Sequence, residues 1–548
     1  MQRKVLQLDR RDNVLIALND LKQGETVDFN GSSYQLVSNV RAKHKFATTD
    51  LAAGADVIMY GVLVGKAVNP IRRGELLTVG NLRHEASAYH EKSAQFEWDA
   101  PDVSRWKQRK FLGYRRPDGQ VGTRNYWLVV PLVFCENRNI LNLKQAFEEE
   151  LGFAPPQRYR RQVAELARLY REGKLQANAT SAAAPPETAS KSHVLFANLD
   201  GVRFLVHEGG CGGTREDSNN LCGLIAGYVH HPNVAGATVL SLGCQHAQTG
   251  ILREQLARRN FHGKPIIILE QQKSGSEAAM LSQAITETFH GLVQANECRR
   301  EPAELSHLCV GLKCGGSDGF SGISANPAIG HTSDLLVALG ARTILSEFPE
   351  LCGVEQELIN RATRKEVAGR FIQLMRDYAE RARAVRASFD MNPSPGNMRD
   401  GLLTDAMKSA GAAKKGGTAP VSAVLDYPEY STEPGLHLQC TPGNDVECVT
   451  AQVGAGANIV LFTTGLGTPT GNPITPVIKL STNSTLAQRM PDIIDFDAGP
   501  IVEGKATIEE TGERILDLVI QVAGGAVKTK AEVNSQEDFI PWKRGVSL

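Results

Sequence analysis

"YWLVVPLVF", residues 126–134, is a continuous apolar run set between turn-forming stretches. It is far shorter than the roughly 20 residues of a membrane-crossing helix. It also lacks the in–out alternation of a strand with one wet face. A strand buried on both faces, as in a parallel sheet, reads this way. The pattern recurs in "RFLVHEGG" (203–210), "GATVLSLGC" (236–244), "KPIIILEQQ" (264–272), "LCVGLKCGG" (308–316) and "ARTILSEFPE" (341–350). Helical stretches such as "SEAAMLSQAITETFHGLVQA" (276–295) and "HTSDLLVALG" (331–340) lie between them. Strand alternating with helix predicts a layered α/β domain, and such sheets bind ligands beyond the carboxyl ends of their strands. Cys135, His207, Cys211, Cys244, Cys314 and Glu347 each follow an apolar run within a few residues.

Working outward, residues 1–85 alternate short apolar runs with turns, including Asn30-Gly31, and predict a small β-rich domain. Residues 86–110 are polar but carry Phe96, Trp98 and Trp106, and read as a linker strapped to a surface. The α/β catalytic domain is expected over 111–390. A change at "NPSPGN" (392–397) marks a further α/β domain over 391–548, and "LQANATSAAAPPETASKS" (175–192) reads as a flexible surface loop. The 548 residues carry 60 basic and 60 acidic side chains. Zero net charge argues against nucleic acid or an anionic membrane as partner, but leaves room for a small anionic substrate and for a homo-oligomer. With no signal peptide or membrane span, the expected location is the cytoplasm, where the ten cysteines stay reduced.

Five glycine-rich stretches carry polar residues: 207–220, 242–246, 313–322, 392–397 and 463–473. None has dinucleotide or Walker spacing. Each is a tight turn, or a loop whose bare amides line an anion pocket. Cys222, Cys298, Cys309 and Cys352 fit the role of small buried hydrophobes. Cys211, Cys244 and Cys314 lie in glycine loops, where packing needs no thiol, and are either inert or ligands to a metal or cluster. Glu347 and Glu350 offer oxygens to a hard cation or sit at a helix start. Lys408 and Lys415 hold a substrate carboxylate or line a solvated helix face.

Taken together, "HKFATTDLAAGADVIMYG" (44–61), "GYRRPDGQVGTRN" (113–125), "CGGSDGFSGISANPAIG" (314–330), "SEFPE" (346–350), "NPSPGN", "TPGNDVECVT" (441–450), "FTTGLGTP" (462–469) and "VIKLSTN" (477–483) resemble the altronate/galactarate dehydratase family of sugar-acid hydro-lyases. The resemblance implies a small β-clip (SAF-like) domain ahead of layered α/β domains. It also implies hexuronate breakdown by dehydration of D-altronate to 2-dehydro-3-deoxy-D-gluconate, with a divalent metal, iron(II) or manganese. Galactarate or sulfolactate is the alternative substrate, and a non-catalytic sugar-acid binding protein is the alternative class. Carried onto this chain, it makes His207, Lys415 and Asp318 the candidates for catalysis. Gly315, Gly316, Ser317, Asn326, Asn397 and Lys408 are the candidates for substrate binding, and Glu347, Cys211, Cys244 and Cys314 for metal. An iron–sulfur cluster on Cys211, Cys244 and Cys314 is the alternative cofactor; Cys135, in "FCENRN", matches the family too. One element departs: where several altronate enzymes have His-x-His-Asn, this chain has "LTVGN" (77–81), leaving His44 and His84 nearby.

Overall fold

The apolar runs form two parallel sheets in a computed structural model that describes residues 4–155, 158–175 and 194–545. The expected loop at 175–192 lies, but for Leu175, outside the described residues. The smaller sheet has the order Gly201–Phe204, Tyr126–Pro131, Val234–Ser241, Ile266–Glu270. All its pairings are parallel, and Pro131 sits opposite Leu240. The larger has seven parallel strands in the order Val421–Leu425, Gly435–Gln439, Arg342–Leu345, Cys309–Cys314, Ile459–Thr464, Val477–Ser481, Phe496–Asp497. Its central strands are buried at every position, which is why they read as unbroken apolar runs.

The larger sheet takes strands from both sides of residue 390, so a domain boundary cannot fall there. Strand Cys309–Cys314 pairs with Ile459–Thr464, and Arg342–Leu345 with Gly435–Gln439. "NPSPGN" is instead a loop and a one-turn helix, Pro395–Arg399, closed by a Ser394–Asn397 capping box.

The N-terminal region forms small antiparallel sheets, among them Val5–Leu6, Val14–Ala17 and Lys45–Ala47. It docks on the large sheet through a mixed apolar cluster in which Val14, Met59 and Leu82 meet Phe320, Ile323, Leu403 and Met407. Polar ties fix its orientation. Lys45 Nζ donates to Gly401 O at 2.6 Å, and Thr404 Oγ1 donates to Val64 O at 2.6 Å. The linker is strapped down as its aromatics suggest. Trp98 Nε1 donates to Thr418 Oγ1, and the buried Trp106 donates to Asp517 Oδ1. Phe96, by contrast, is left exposed.

Candidate active site

Three lysines, three carboxylates and a thiol meet where strands of the large sheet end. Lys313 and Cys314 close the strand Cys309–Cys314, Glu347 follows Arg342–Leu345, and Asp445 opens the helix after Gly435–Gln439. Lys408 and Lys415 come from the helix Asp405–Ala413 and the turn after it. Lys415 Nζ lies 2.8 Å from Cys314 Sγ and 2.9 Å from Glu347 Oε2. Lys313 Nζ donates to the other oxygen of Glu347 and lies 2.8 Å from Asp445 Oδ1. Lys408 Nζ donates at 2.7 Å both to Glu350 Oε1 and to Asn392 Oδ1. Cys314 Sγ reaches Glu350 Oε2 at 3.5 Å.

All but Asp445 are buried. Desolvation alone would neutralise such groups, so the charges persist because they are paired. Burial disfavours the Lys415 ammonium, but Cys314, Glu347 and Glu350 outweigh it and hold the pKa above its ordinary value. Glu350 is raised by burial yet pulled down to about 2 by Lys408, Lys415 and Lys313. Burial pushes the Cys314 thiol up to about 11, so it is a neutral S–H near pH 7. Glu347 has φ +71°, a left-handed conformation uncommon outside glycine. A hydrogen bond from its N–H to Thr441 Oγ1 at 3.0 Å helps hold it there. Backbone strain of this kind, over-determined by its surroundings, is a mark of functional sites. At the rim, the Nδ2 of Asn392 is buried with no hydrogen-bond partner among the described residues, a donor that a substrate oxygen would satisfy.

The expected residues separate into groups. Lys415, Glu347, Cys314 and Lys408 converge here. Most of the candidates for substrate binding instead tie loops to one another. Gly315 N donates to Thr463 O, and Gly316 O accepts from the amides of Gly465 and Leu466. Asn397 Nδ2 donates to Ser317 O, and Asn326 bridges Gly411 O and Thr463 Oγ1. Asp318, a candidate for catalysis, lies in a tie between the large sheet and the N-terminal domain. Its Oδ2 lies 2.9 Å from Lys43 Nζ of the N-terminal domain, and its Oδ1 accepts from Phe320 N, Ser321 Oγ and Thr482 Oγ1. Lys313, Glu350, Asn392 and Asp445 complete the cluster. Of these, Glu350 was already a candidate cation ligand, and Lys313 had a signal in the sequence, since a lysine inside a fully apolar strand must find a buried anion.

His207, also a candidate for catalysis, is tied to backbone. Nε2 lies 2.8 Å from Pro131 O and Nδ1 accepts from Gly209 N at 3.1 Å, so both ring nitrogens are committed to backbone. Burial pushes the ring down to about 4. Above the unfolded value of about 6.5 the ring is neutral folded or unfolded. Below it the unfolded chain takes up a proton that the fold refuses, so this contribution fades as pH drops from 6.5 toward 4 and amounts to a loss of about 2 kcal/mol by pH 5. In urea titrations at pH 8 and pH 5, His207→Gln is expected to show the shallower fall in midpoint.

Cys211 and Cys244 lie in the loops that leave the smaller sheet, near enough to Cys135 that, after burial, they help to raise its thiol pKa. Cys314 keeps company with lysines and glutamates instead. The expected grouping of Cys314 with Cys211 and Cys244 is thus replaced by one with Cys135. Two other donor groups have ligand atoms all within 4.8 Å of one another: Cys314–Glu347–Glu350, and His84–Cys352–Asp405 at the seam with the N-terminal domain.

Buried ammonium, carboxylate and thiol groups within hydrogen-bond reach of one another beyond the carboxyl ends of a parallel sheet have the chemistry that proton transfer requires. Three family models divide the chain: the altronate/galactarate dehydratase SAF domain over residues 3–85, the D-galactarate dehydratase/altronate hydrolase second domain over 113–296, and the D-galactarate/altronate dehydratase C-terminal domain over 305–547. The chain is 33% identical over 543 residues to the altronate dehydratase of Bacillus subtilis, covering 99% of both. It is 34% identical over 540 residues to that of Escherichia coli, covering 98% of both. To the galactarate dehydratase (L-threo-forming) of E. coli it is 31% identical over 525 residues, covering 94% of this chain and 92% of the relative. The chain belongs to the altronate/galactarate dehydratase family and is a hydro-lyase. No described helix is long and apolar enough to cross a membrane.

Proposed function

We propose that the chain converts D-altronate to 2-dehydro-3-deoxy-D-gluconate and water, in the cytoplasm, using the cluster around Lys415. The observation that carries the reading is Lys415 Nζ, which shares its protons between Cys314 Sγ and Glu347 Oε2. Full-length likeness to two altronate dehydratases supplies the substrate.

The hydrogen at C2 of a sugar acid is a poor acid, because its loss adds charge to a carboxylate. The resulting ene-diolate needs fixed positive charge in a dry site, and Lys313, Lys408 and Lys415 supply it. Glu347 takes the C2 proton. Its negative charge then no longer holds the Lys415 proton, and Lys415 becomes the stronger acid just as the C3 hydroxyl needs protonation to leave as water. Glu347 afterwards returns its proton to Lys415 across the 2.9 Å contact. The enol product tautomerises to the 2-keto acid, taking a proton at C3, and no electrons are exchanged with a cofactor.

Iron(II) or manganese is the metal the family suggests. Cys314, Glu347 and Glu350 do not fit it, since their carboxylates already hold three lysines. His84, Cys352 and Asp405 fit better. Asp405 is buried with neither carboxylate oxygen hydrogen-bonded among the described residues, and burial together with Glu350 raises its pKa well above the ordinary range. His84, Cys352 and Asp405 would hold a divalent ion, which would supply positive charge to stabilise a developing anion.

The test is release of 2-keto acid from D-altronate and from galactarate by the same reduced, metal-supplemented protein. Altronate is expected to be turned over with at least about tenfold higher kcat/KM, a difference of about 1.4 kcal/mol. Preference for galactarate would move the chain to the second substrate, and inertness toward both would refute the reading.

A further inference from the structure

Three cysteines stand on three adjacent loops at one end of the smaller sheet. Cys135 follows the strand Tyr126–Pro131, Cys211 follows Gly201–Phe204, and Cys244 follows Val234–Ser241; these strands are neighbours and parallel. All three thiols are exposed and unpaired. The loops that carry them are tied to one another. Phe134 N donates to Gly209 O at 3.0 Å, and Ala247 N donates to Gly210 O at 3.1 Å. His207 spans from Pro131 O to Gly209 N, and Asn137 Nδ2 donates to His207 O at 2.9 Å. The cysteine in the third loop is braced by Gln245, whose Oε1 accepts from Gly243 N while its Nε2 donates to Ser241 Oγ. Gly210 has φ +95°, and a Cβ there would stand 2.0 Å from Leu132 O, so the loop beside Cys211 is set by backbone contact that no other residue permits.

Packing does not explain three exposed thiols held this way. Neither does a single ion, because this trio is not among the donor groups that close to within 4.8 Å. A multi-iron cluster gives each cysteine its own iron and so needs its thiolates further apart than one ion does. A cavity of about 650 Å³ opens beside Cys211 and is lined also by His207, Glu208, Trp542 and Lys543.

We propose that Cys135, Cys211 and Cys244 bind a cubane iron–sulfur cluster, whose fourth iron has no cysteine ligand and faces this cavity. On assembly each of the three thiols gives up its proton and forms one bond to iron, and ferrous and ferric iron in equal amounts with inorganic sulfide supply the core, so no electron is gained or lost. The assignment stands apart from the altronate reading, because its readout is the cluster itself.

The full chain, its thiols reduced beforehand, is reconstituted anaerobically with equal amounts of ferrous and ferric iron and inorganic sulfide, then assayed for bound iron, acid-labile sulfide and visible absorption. Wild type and Cys314→Ser are expected to bind iron and sulfide in equal amounts and turn brown. Cys135→Ser, Cys211→Ser and Cys244→Ser are each expected to lose the colour. A second measurement needs no variant: iodoacetamide should label Cys135, Cys211 and Cys244 in the native metal-free chain and spare all three after loading. Iron bound without sulfide and abolished by Asp405→Asn, colour that survives in Cys211→Ser but fails in Cys314→Ser, or labelling unchanged by reconstitution would each overturn the proposal.

Discussion

Lys415→Met is expected to lower kcat on altronate by about 10²–10⁴-fold, the usual worth of a positioned acid or base. The loss follows from the geometry, because Lys415 is the group that joins Glu347 to Cys314. Folding must be checked separately, since removing one partner of a buried pair costs stability in its own right; Glu347 keeps Lys313 in the variant. Lys415→Arg separates the roles. Arginine preserves the positive charge but does not give up its proton, so KM should stay within a few fold while kcat falls nearly as far as in the methionine variant. Equal, mild losses in kcat and KM for both variants would mean that Lys415 only binds.

Lys313→Met carries the largest expected effect on stability. Lys313 is completely buried between Glu347 and Asp445, and its ammonium is held well above its ordinary pKa by those carboxylates against the pull of burial. Deleting it leaves carboxylates under-compensated in a dry site, a loss of about 3–5 kcal/mol. The double variant Lys313→Met/Glu347→Gln removes cation and anion together, so its loss should be smaller than the sum of the two single losses. Urea unfolding of the three variants measures this, and strict additivity would show that the pair does not interact.

The layered α/β fold was legible because buried parallel strands leave unbroken apolar runs. The boundary at 390 was not. A parallel sheet pairs strands distant in sequence, and nothing near "NPSPGN" reveals that Cys309–Cys314 lies beside Ile459–Thr464. The same reason limited the site. Lys415, Glu347 and Cys314 were visible as chemistry-bearing residues at strand ends and loops, yet Asn392 and Asp445 gain meaning only when the fold brings them to the rim. His207 and Asp318 were not legible as ties, because a polar residue in a glycine loop looks the same in sequence whether it faces substrate or ties backbone. Cys211 and Cys244 pointed to a thiol site, but its third member is on the neighbouring strand's loop, at Cys135 rather than Cys314.

The most direct test of elimination at the Lys415 cluster is altronate turnover in deuterated water, with the product examined by mass spectrometry and NMR. The account predicts a 2-keto acid that carries one solvent deuterium at C3 and has lost the original C2 hydrogen to solvent, formed at least about a hundredfold more slowly by Lys415→Met. A product that retains the C2 hydrogen at C3, or undiminished turnover by Lys415→Met, would contradict it.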